Sequence, residues 1–196
     1  MSTMTETVNG KTYQEAYGYD KSRISSINYN TGSGTSLTNL ATVMYNYNTY
    51  NYLYKLVDGS NQMLRQVNDV NELGQEKSVS LGNGQITTQN YTPEGLCTNV
   101  TITNGSNVIH NMNYDFNPIN GTLNSRTDVV HNNISESFTY DNLYRLKNFG
   151  SKTMDYNPNG NILNKTDVGN KTDVGIYSYP DASKPYTLAT VNTNSD

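Results

Sequence analysis

The chain has 196 residues, enough for one domain or at most two small ones. Only 34% of them are hydrophobic and 15% charged, so the chain matches neither an aliphatic sandwich core nor a highly charged disordered segment. A net charge of −4 offers no basic stripe for phosphates, which excludes nucleic acid as a partner, and no apolar run reaches the length of a membrane-spanning helix.

The missing bulk is supplied by 17 Tyr, with 3 Phe and no Trp, set among Asn, Thr, Ser and Gly, a mixture that favours strands joined by tight turns. Met1 is followed by polar residues, without the basic start and apolar core of a signal peptide. The single Cys97 excludes an intrachain disulfide and a CxxC motif, and is predicted to be a small buried apolar side chain.

In chain order, residues 5–20 already read as a hairpin. Tyr19-Asp20-Lys21-Ser22-Arg23-Ile24 is a shortened copy of a unit with an aromatic, an Asx, a short turn and an apolar residue. Residues 29–40, with Gly32 and Gly34 among Ser and Thr, read as the longest turn-like insertion. Tyr50-Asn51-Tyr52-Leu53-Tyr54-Lys55-Leu56 matches Tyr140-Asp141-Asn142-Leu143-Tyr144-Arg145-Leu146 in chemistry at six of seven positions.

Val70-Asn71-Glu72-Leu73-Gly74-Gln75 and Tyr91-Thr92-Pro93-Glu94-Gly95-Leu96 keep the spacing from anchor to Gly, with Gly82-Asn83-Gly84 as a hairpin turn between them. Phe116-Asn117-Pro118-Ile119-Asn120-Gly121-Thr122-Leu123 carries one insertion, and Tyr156-Asn157-Pro158-Asn159-Gly160-Asn161-Ile162 is the turn-rich version. Residues 164–175 repeat "NKTDVG" in tandem, which reads as a duplication in a surface loop. Anchors at 19, 50, 70, 91, 116, 140 and 156 give a unit of about twenty residues, repeated seven to eight times over a single segment, 1–196.

Each unit reads as a β-hairpin. Residues 136–140 alternate, with Phe138 and Tyr140 on one face and Ser137 and Thr139 on the other, and the following Asx and Gly accept the positive φ of a tight turn. One hairpin is marginal in water, so the copies must stack, and each aromatic cross-strand pair then adds about 0.2–1 kcal/mol.

The motifs at 140–146, 156–162, 116–128, 71–84 and 177–191 resemble the bacterial RHS (YD-repeat) family, and together they cover almost the whole chain. The resemblance implies an all-β fold of repeated antiparallel hairpins in a curved, ribbon-like sheet, part of a shell that encloses or delivers a C-terminal toxin. It implies no reaction performed by the repeats and no cofactor, with the remaining repeats and the C-terminal domain of a parent protein as partners. Secretion or display at a bacterial cell surface follows from the same likeness. The family's closing Asp-Pro-x-Gly core is absent, since the chain contains no Asp-Pro, and self-cleavage and toxin activity are not carried over. The pattern is running from the start and breaks off after a strand, so the chain reads as a segment whose open edges favour edge-to-edge self-association.

Asp155, Asn157 and Asn159 before Gly160 fit the opening of a calcium loop, but Thr166 stands where a bidentate Glu is needed, and the turn reading is preferred over a metal site. His110 and His131 sit in strand-like contexts without a nucleophile motif, so no catalytic residue is assigned. Seven N-x-S/T sequons, at Asn90, Asn99, Asn104, Asn120, Asn133, Asn164 and Asn170, follow from composition. The rival function is an adhesion or glycan-binding module built from exposed Tyr and Asn.

Overall fold

A computed structural model describes residues 2–166 and 176–192. The described residues hold seventeen strands and no helix, which bears out the all-β expectation. The first ten are β1 (Ser2–Val8), β2 (Lys11–Asp20), β3 (Arg23–Ser33), β4 (Ser36–Tyr47), β5 (Leu53–Asp58), β6 (Met63–Val70), β7 (Glu76–Leu81), β8 (Gln85–Tyr91), β9 (Cys97–Asn104) and β10 (Asn107–Phe116). The rest are β11 (Leu123–Asp128), β12 (Ile134–Tyr140), β13 (Leu146–Phe149), β14 (Lys152–Tyr156), β15 (Ile162–Lys165), β16 (Ile176–Ser178) and β17 (Thr190–Asn192). The chain forms two compact units, residues 1–95 with 99–110, and residues 96–98 with 111–196.

In the first unit β1 to β8 pair antiparallel in chain order. In the second, Met112–Phe116 of β10 and then β11 to β17 do the same. A meander reverses at every turn, so alternate turns fall on the same edge. In the first unit the turns after β2, β4 and β6 share one edge, and those after β1, β3, β5 and β7 share the other. In the second unit the turns after β10, β12 and β14 share an edge in the same way. The twenty-residue period is thus two strands and two turns, and the anchors recur on one edge of each unit.

Among the described residues the buried apolar side chains are few: Ala16, Ile27, Val57, Val67 and Val79, all in the first unit. Val67 and Val79 face each other across β6 and β7. Much of the remaining cohesion on this sheet is polar. Asn39 Nδ2 donates to Asn30 Oδ1 (3.1 Å), Asn30 Nδ2 to Gln14 Oε1 (3.2 Å) and Gln14 Nε2 to Thr5 Oγ1 (3.4 Å), a ladder across four strands. Amides can bridge this way because each has both donor and acceptor, so a row of Asn and Gln satisfies itself across neighbouring strands.

Residues 29–40 differ from the expected loop. β3 and β4 run almost uninterrupted as 11- and 12-residue strands, and only the tip after Ser33 is a turn. The reason is pairing: Thr31 lies opposite Thr38 and Gly32 opposite Leu37, where a Cβ on Gly32 would sit 1.8 Å from the Ser36 carbonyl oxygen. Gly32 is there for close backbone approach and Gly34, at φ +58, for the turn. Cys97 is half-buried on β9. Most of the tandem "NKTDVG", residues 167–175, lies outside the described residues.

Val57 is 1% exposed and Tyr50 is 88% exposed. Val57→Ala is expected to lower unfolding stability by about 2 kcal/mol, from lost burial plus a cavity. Tyr50→Ala should stay within about 0.5 kcal/mol, urea titration of the two variants being the check.

Candidate functional site

The turns on the anchor edge share one construction, seen in full at Asp141. The Asp141 N–H donates to the Arg145 carbonyl (2.9 Å), and the Tyr144 N–H donates to the Asp141 carbonyl (2.9 Å). The Asp141 Oδ1 atom accepts from the N–H groups of Leu143 (2.9 Å) and Arg145 (3.0 Å). One Asx side chain therefore satisfies two turn N–H groups, the local bonding for which Asp and Asn are favoured in turns.

Asn48, Asp58 and Asn71 build the same double acceptor, towards Tyr50 and Tyr52, Ser60 and Gln62, and Leu73 and Gln75. Asn117 accepts from Ile119 and Asn157 from Asn161. Three residues after the Asx the backbone turns left-handed, at Asn51 (φ 66), Asn61 (φ 64), Gly74 (φ 77), Tyr144 (φ 58) and Gly160 (φ 90), and one residue later at Gly121 (φ 72); Gly95 (φ 90) takes the same place in a turn that opens on Thr92. The turn of the second copy thus begins at Tyr47-Asn48, three residues earlier than the sequence pattern placed it. Tyr50 is its exposed apex and Asn51 its left-handed residue. The Asp58 turn, on the opposite edge, escaped the pattern because Val57 replaces the aromatic and Asn61 the Gly.

Six of the anchors pair with the apolar or closing residue beyond the turn, and the register slips at each of the six. Tyr19 faces Ile24, Tyr47 Leu53, Val70 Glu76, Phe116 Leu123, Tyr140 Leu146 and Tyr156 Ile162. The extra residue always follows the closing position, as Ser25, Tyr54, Lys77, Asn124, Lys147 or Leu163. This bulge increases local twist at a fixed place in each repeat. Asp20 and Arg23 close the short copy as a two-residue turn with Lys21 (φ 47) and Ser22 (φ 68) left-handed.

The repeats hold one another through two further contacts. Tyr47 donates its hydroxyl to the Ile24 carbonyl (2.9 Å), Tyr91 to that of Glu76 (2.9 Å) and Tyr140 to that of Leu123 (3.1 Å), in each case the closing residue of the preceding turn. The residue before the closing position reaches forward. Arg23 stacks on the Tyr47 ring (4.5 Å) and donates to Asn51 Oδ1 (2.5 Å), and Gln75 Nε2 donates to the Gly95 carbonyl (2.8 Å). Arg145 stacks on Tyr156 (4.6 Å), donates Nη1 to the Asn157 carbonyl (3.1 Å) and keeps Nε on Asp141 Oδ2 (2.6 Å). A planar guanidinium can do all three at once, which a Lys cannot.

Burial raises the Asp141 carboxyl pKa, but the backbone and side-chain hydrogen bonds from Arg145 and the N–H of Leu143 outweigh it and hold the group below its ordinary range. Burial also raises Tyr156, against the Arg145 charge, and its hydroxyl rests on Met154 Sδ (2.7 Å).

The calcium candidates fall into the same architecture. Asp155 is a β14 residue paired with Asn164, and Asn157 spends Oδ1 on the Asn161 N–H and its carbonyl on Gly160 and Arg145. Asn159 is an exposed turn residue. His131 Nδ1 lies 2.8 Å from Asp128 Oδ2 at an exposed turn, lowering the Asp128 pKa through that bond, and His110 is half-buried on β10. A groove of about 500 Å³ on the second unit is lined by Arg126, Glu136, Phe149 and Lys152, and its Arg126 and Glu136 are paired at 2.7 Å.

No protein-family model and no curated protein matches the sequence. Among solved structures, the chain is similar to TcdB2-TccC3 without its hypervariable C-terminal region over 90% of its length, with a TM-score of 0.58, 16% identity and 9% of that chain covered. It is similar to TcdB2-TccC3 over 74% of its length, with a TM-score of 0.57, 18% identity and 7% of that chain covered. The chain spans about a tenth or less of the length of these TcdB2-TccC3 chains. The fold is the RHS-type repeat fold that the YD motifs imply.

Tyr144 is a bulky residue at a position that Gly or Asn occupies in the other turns of this construction, and it is 63% exposed. Tyr144→Gly is expected to raise stability by about 1 kcal/mol through relief of left-handed strain, read from the urea midpoint. Tyr140→Phe should lower it by about 1 kcal/mol, the net worth of its hydroxyl hydrogen bond.

Asp141 supplies a pH dependence. Its folded pKa is depressed, so its contribution is complete above the unfolded value, roughly pH 4, and is lost as pH falls through the folded value. The stability gap between the native chain and Asp141→Asn should be constant near neutrality and narrow below roughly pH 4.

Proposed function

We propose that the chain is a non-enzymatic wall segment of a longer bacterial RHS-type protein, part of a β-shell that encloses or delivers a C-terminal toxin domain. The clasps between neighbouring turns support this reading: Tyr140 holds the Leu123 carbonyl behind it, and Arg145 holds Tyr156 and Asn157 ahead. The side chains that recur along the edge are committed to neighbouring repeats, which suits a surface that extends and contains. The likeness of fold to TcdB2-TccC3, one form of which lacks a hypervariable C-terminal region, supports the same direction. The partners are then the remaining repeats and the C-terminal domain of the parent, in a secreted or surface-delivered protein.

The test is limited proteolysis of the parent protein beside its separately expressed C-terminal domain. The domain should be cleaved slowly within the parent until the wall itself unfolds. Equal cleavage rates for the attached and isolated domain would overturn the reading.

A displayed, glycan-binding ribbon is the second reading, favoured by the exposed rings of Tyr50 and Tyr186 (88% and 70%). It requires saturable glycan binding that is lost on replacing those rings with Ala. Binding unaffected by both replacements would remove it.

A further inference from the structure

Five Asn-Gly steps occur in the chain, at Asn9, Asn83, Asn104, Asn120 and Asn159, and all five lie exposed at hairpin tips. Such a step is chemically labile. The Gly nitrogen, having lost its proton to solvent base, attacks the Asn Cγ. The tetrahedral adduct expels ammonia and leaves a five-membered succinimide, and water opens that ring at either carbonyl to give aspartate or isoaspartate. One water is consumed and one ammonia released, with no change of oxidation state. Gly permits the attack because it has no Cβ to obstruct the approach.

Exposure does not separate the five sites, but hydrogen bonding does. The Gly84 N–H donates to the Leu81 carbonyl (3.0 Å), that of Gly121 to Asn117 (2.9 Å) and that of Gly160 to Asn157 (3.0 Å). Two of the three Asn side chains are also held: Asn83 Oδ1 accepts from the Gln85 N–H (3.1 Å), and Asn120 Oδ1 from the Thr122 N–H (3.1 Å) and hydroxyl (2.8 Å). For these sites the nucleophilic nitrogen must first break a bond that closes the turn.

Gly10 and Gly105 differ. Each sits in a short tip at positive φ, and among the described residues neither N–H has an acceptor and neither Asn9 nor Asn104 makes a side-chain hydrogen bond. No atom lies within 4 Å of where a Cβ would stand on either Gly, so the space for reaction is open.

We propose that Asn9 and Asn104 are sites of spontaneous deamidation, and that the hydrogen-bonded turns protect Asn83, Asn120 and Asn159. At Asn9 the modification has a structural consequence. β1 is paired to β2 from Ser2–Tyr17 to Val8–Lys11, and all seven of its residues are exposed. The Asn9-Gly10 tip sets that register, and isoaspartate inserts a methylene into its backbone. Conversion there loosens β1 without touching the anchor edge.

The folded chain is incubated at mildly alkaline pH and physiological temperature, and each tip is followed by peptide-resolved mass spectrometry, with a parallel sample in urea. Asn9 and Asn104 should convert about tenfold or more faster than the other three in the folded chain, the factor expected for breaking a turn hydrogen bond and freeing a held side chain. In urea the contrast should collapse. Equal folded-state rates at all five tips would overturn the proposal, as would a contrast that persists undiminished in urea, because that would assign the difference to neighbouring sequence.

Discussion

The Asx side chain that closes a turn on its own backbone is the interaction on which the rest depends. A meander with only five buried apolar side chains among its described residues cannot rely on a packed core to fix where each strand begins and ends. A carboxylate or amide that accepts two turn N–H groups fixes the position locally, at Asn48, Asp58, Asn71 and Asp141 alike. Once the turn is set, the bulge after the closing residue follows. The residue before that position is then presented toward the next repeat.

This explains why Tyr dominates the composition. Its ring packs like an apolar side chain, while its hydroxyl reaches a backbone carbonyl that the bulge leaves available. Phe at position 116 supplies the first contribution without the second. The amide ladder of Gln14, Asn30 and Asn39 makes the same use of residues that can both span and bond. Low hydrophobicity is therefore matched to the architecture: neighbouring strands are joined by many modest, fully paired polar contacts, and unpaired buried side-chain polar atoms are absent among the described residues.

Much of the fold was legible because turns leave strong local marks. Gly74, Gly95, Gly121 and Gly160 stand where the backbone turns left-handed, and alternation around Phe138 and Tyr140 gave the strand. The second copy was displaced because Tyr47, Tyr50, Tyr52 and Tyr54 offer several aromatic phases. Only the distance from Asn48 to the left-handed Asn51 selects among them. Residues 29–40 were misleading for the opposite reason: Ser, Thr and Asn signal a loop in isolation, and only pairing with a facing row of the same residues turns them into strand. The clasps could not be read locally, since Tyr47 and Ile24, or Arg145 and Tyr156, meet through register and not through sequence spacing.

Those clasps also bear on why such a chain can be repeated. The clasps run from a turn to the closing carbonyl behind it or to the anchor ahead of it, so the energetics are those of nearest neighbours, and adding a repeat adds one intrinsic unit and one interface. A sheet stabilised in this way has no preferred length, in contrast to a globular core that stops growing once it is filled. The strained Tyr144 and the hydroxyl-less Phe116 are tolerable within this scheme because a weak repeat is supported from both sides. The same logic places chemical vulnerability at the tips, where support is purely local: a turn that holds its own N–H groups keeps both its shape and its Asn, and an open tip can lose both.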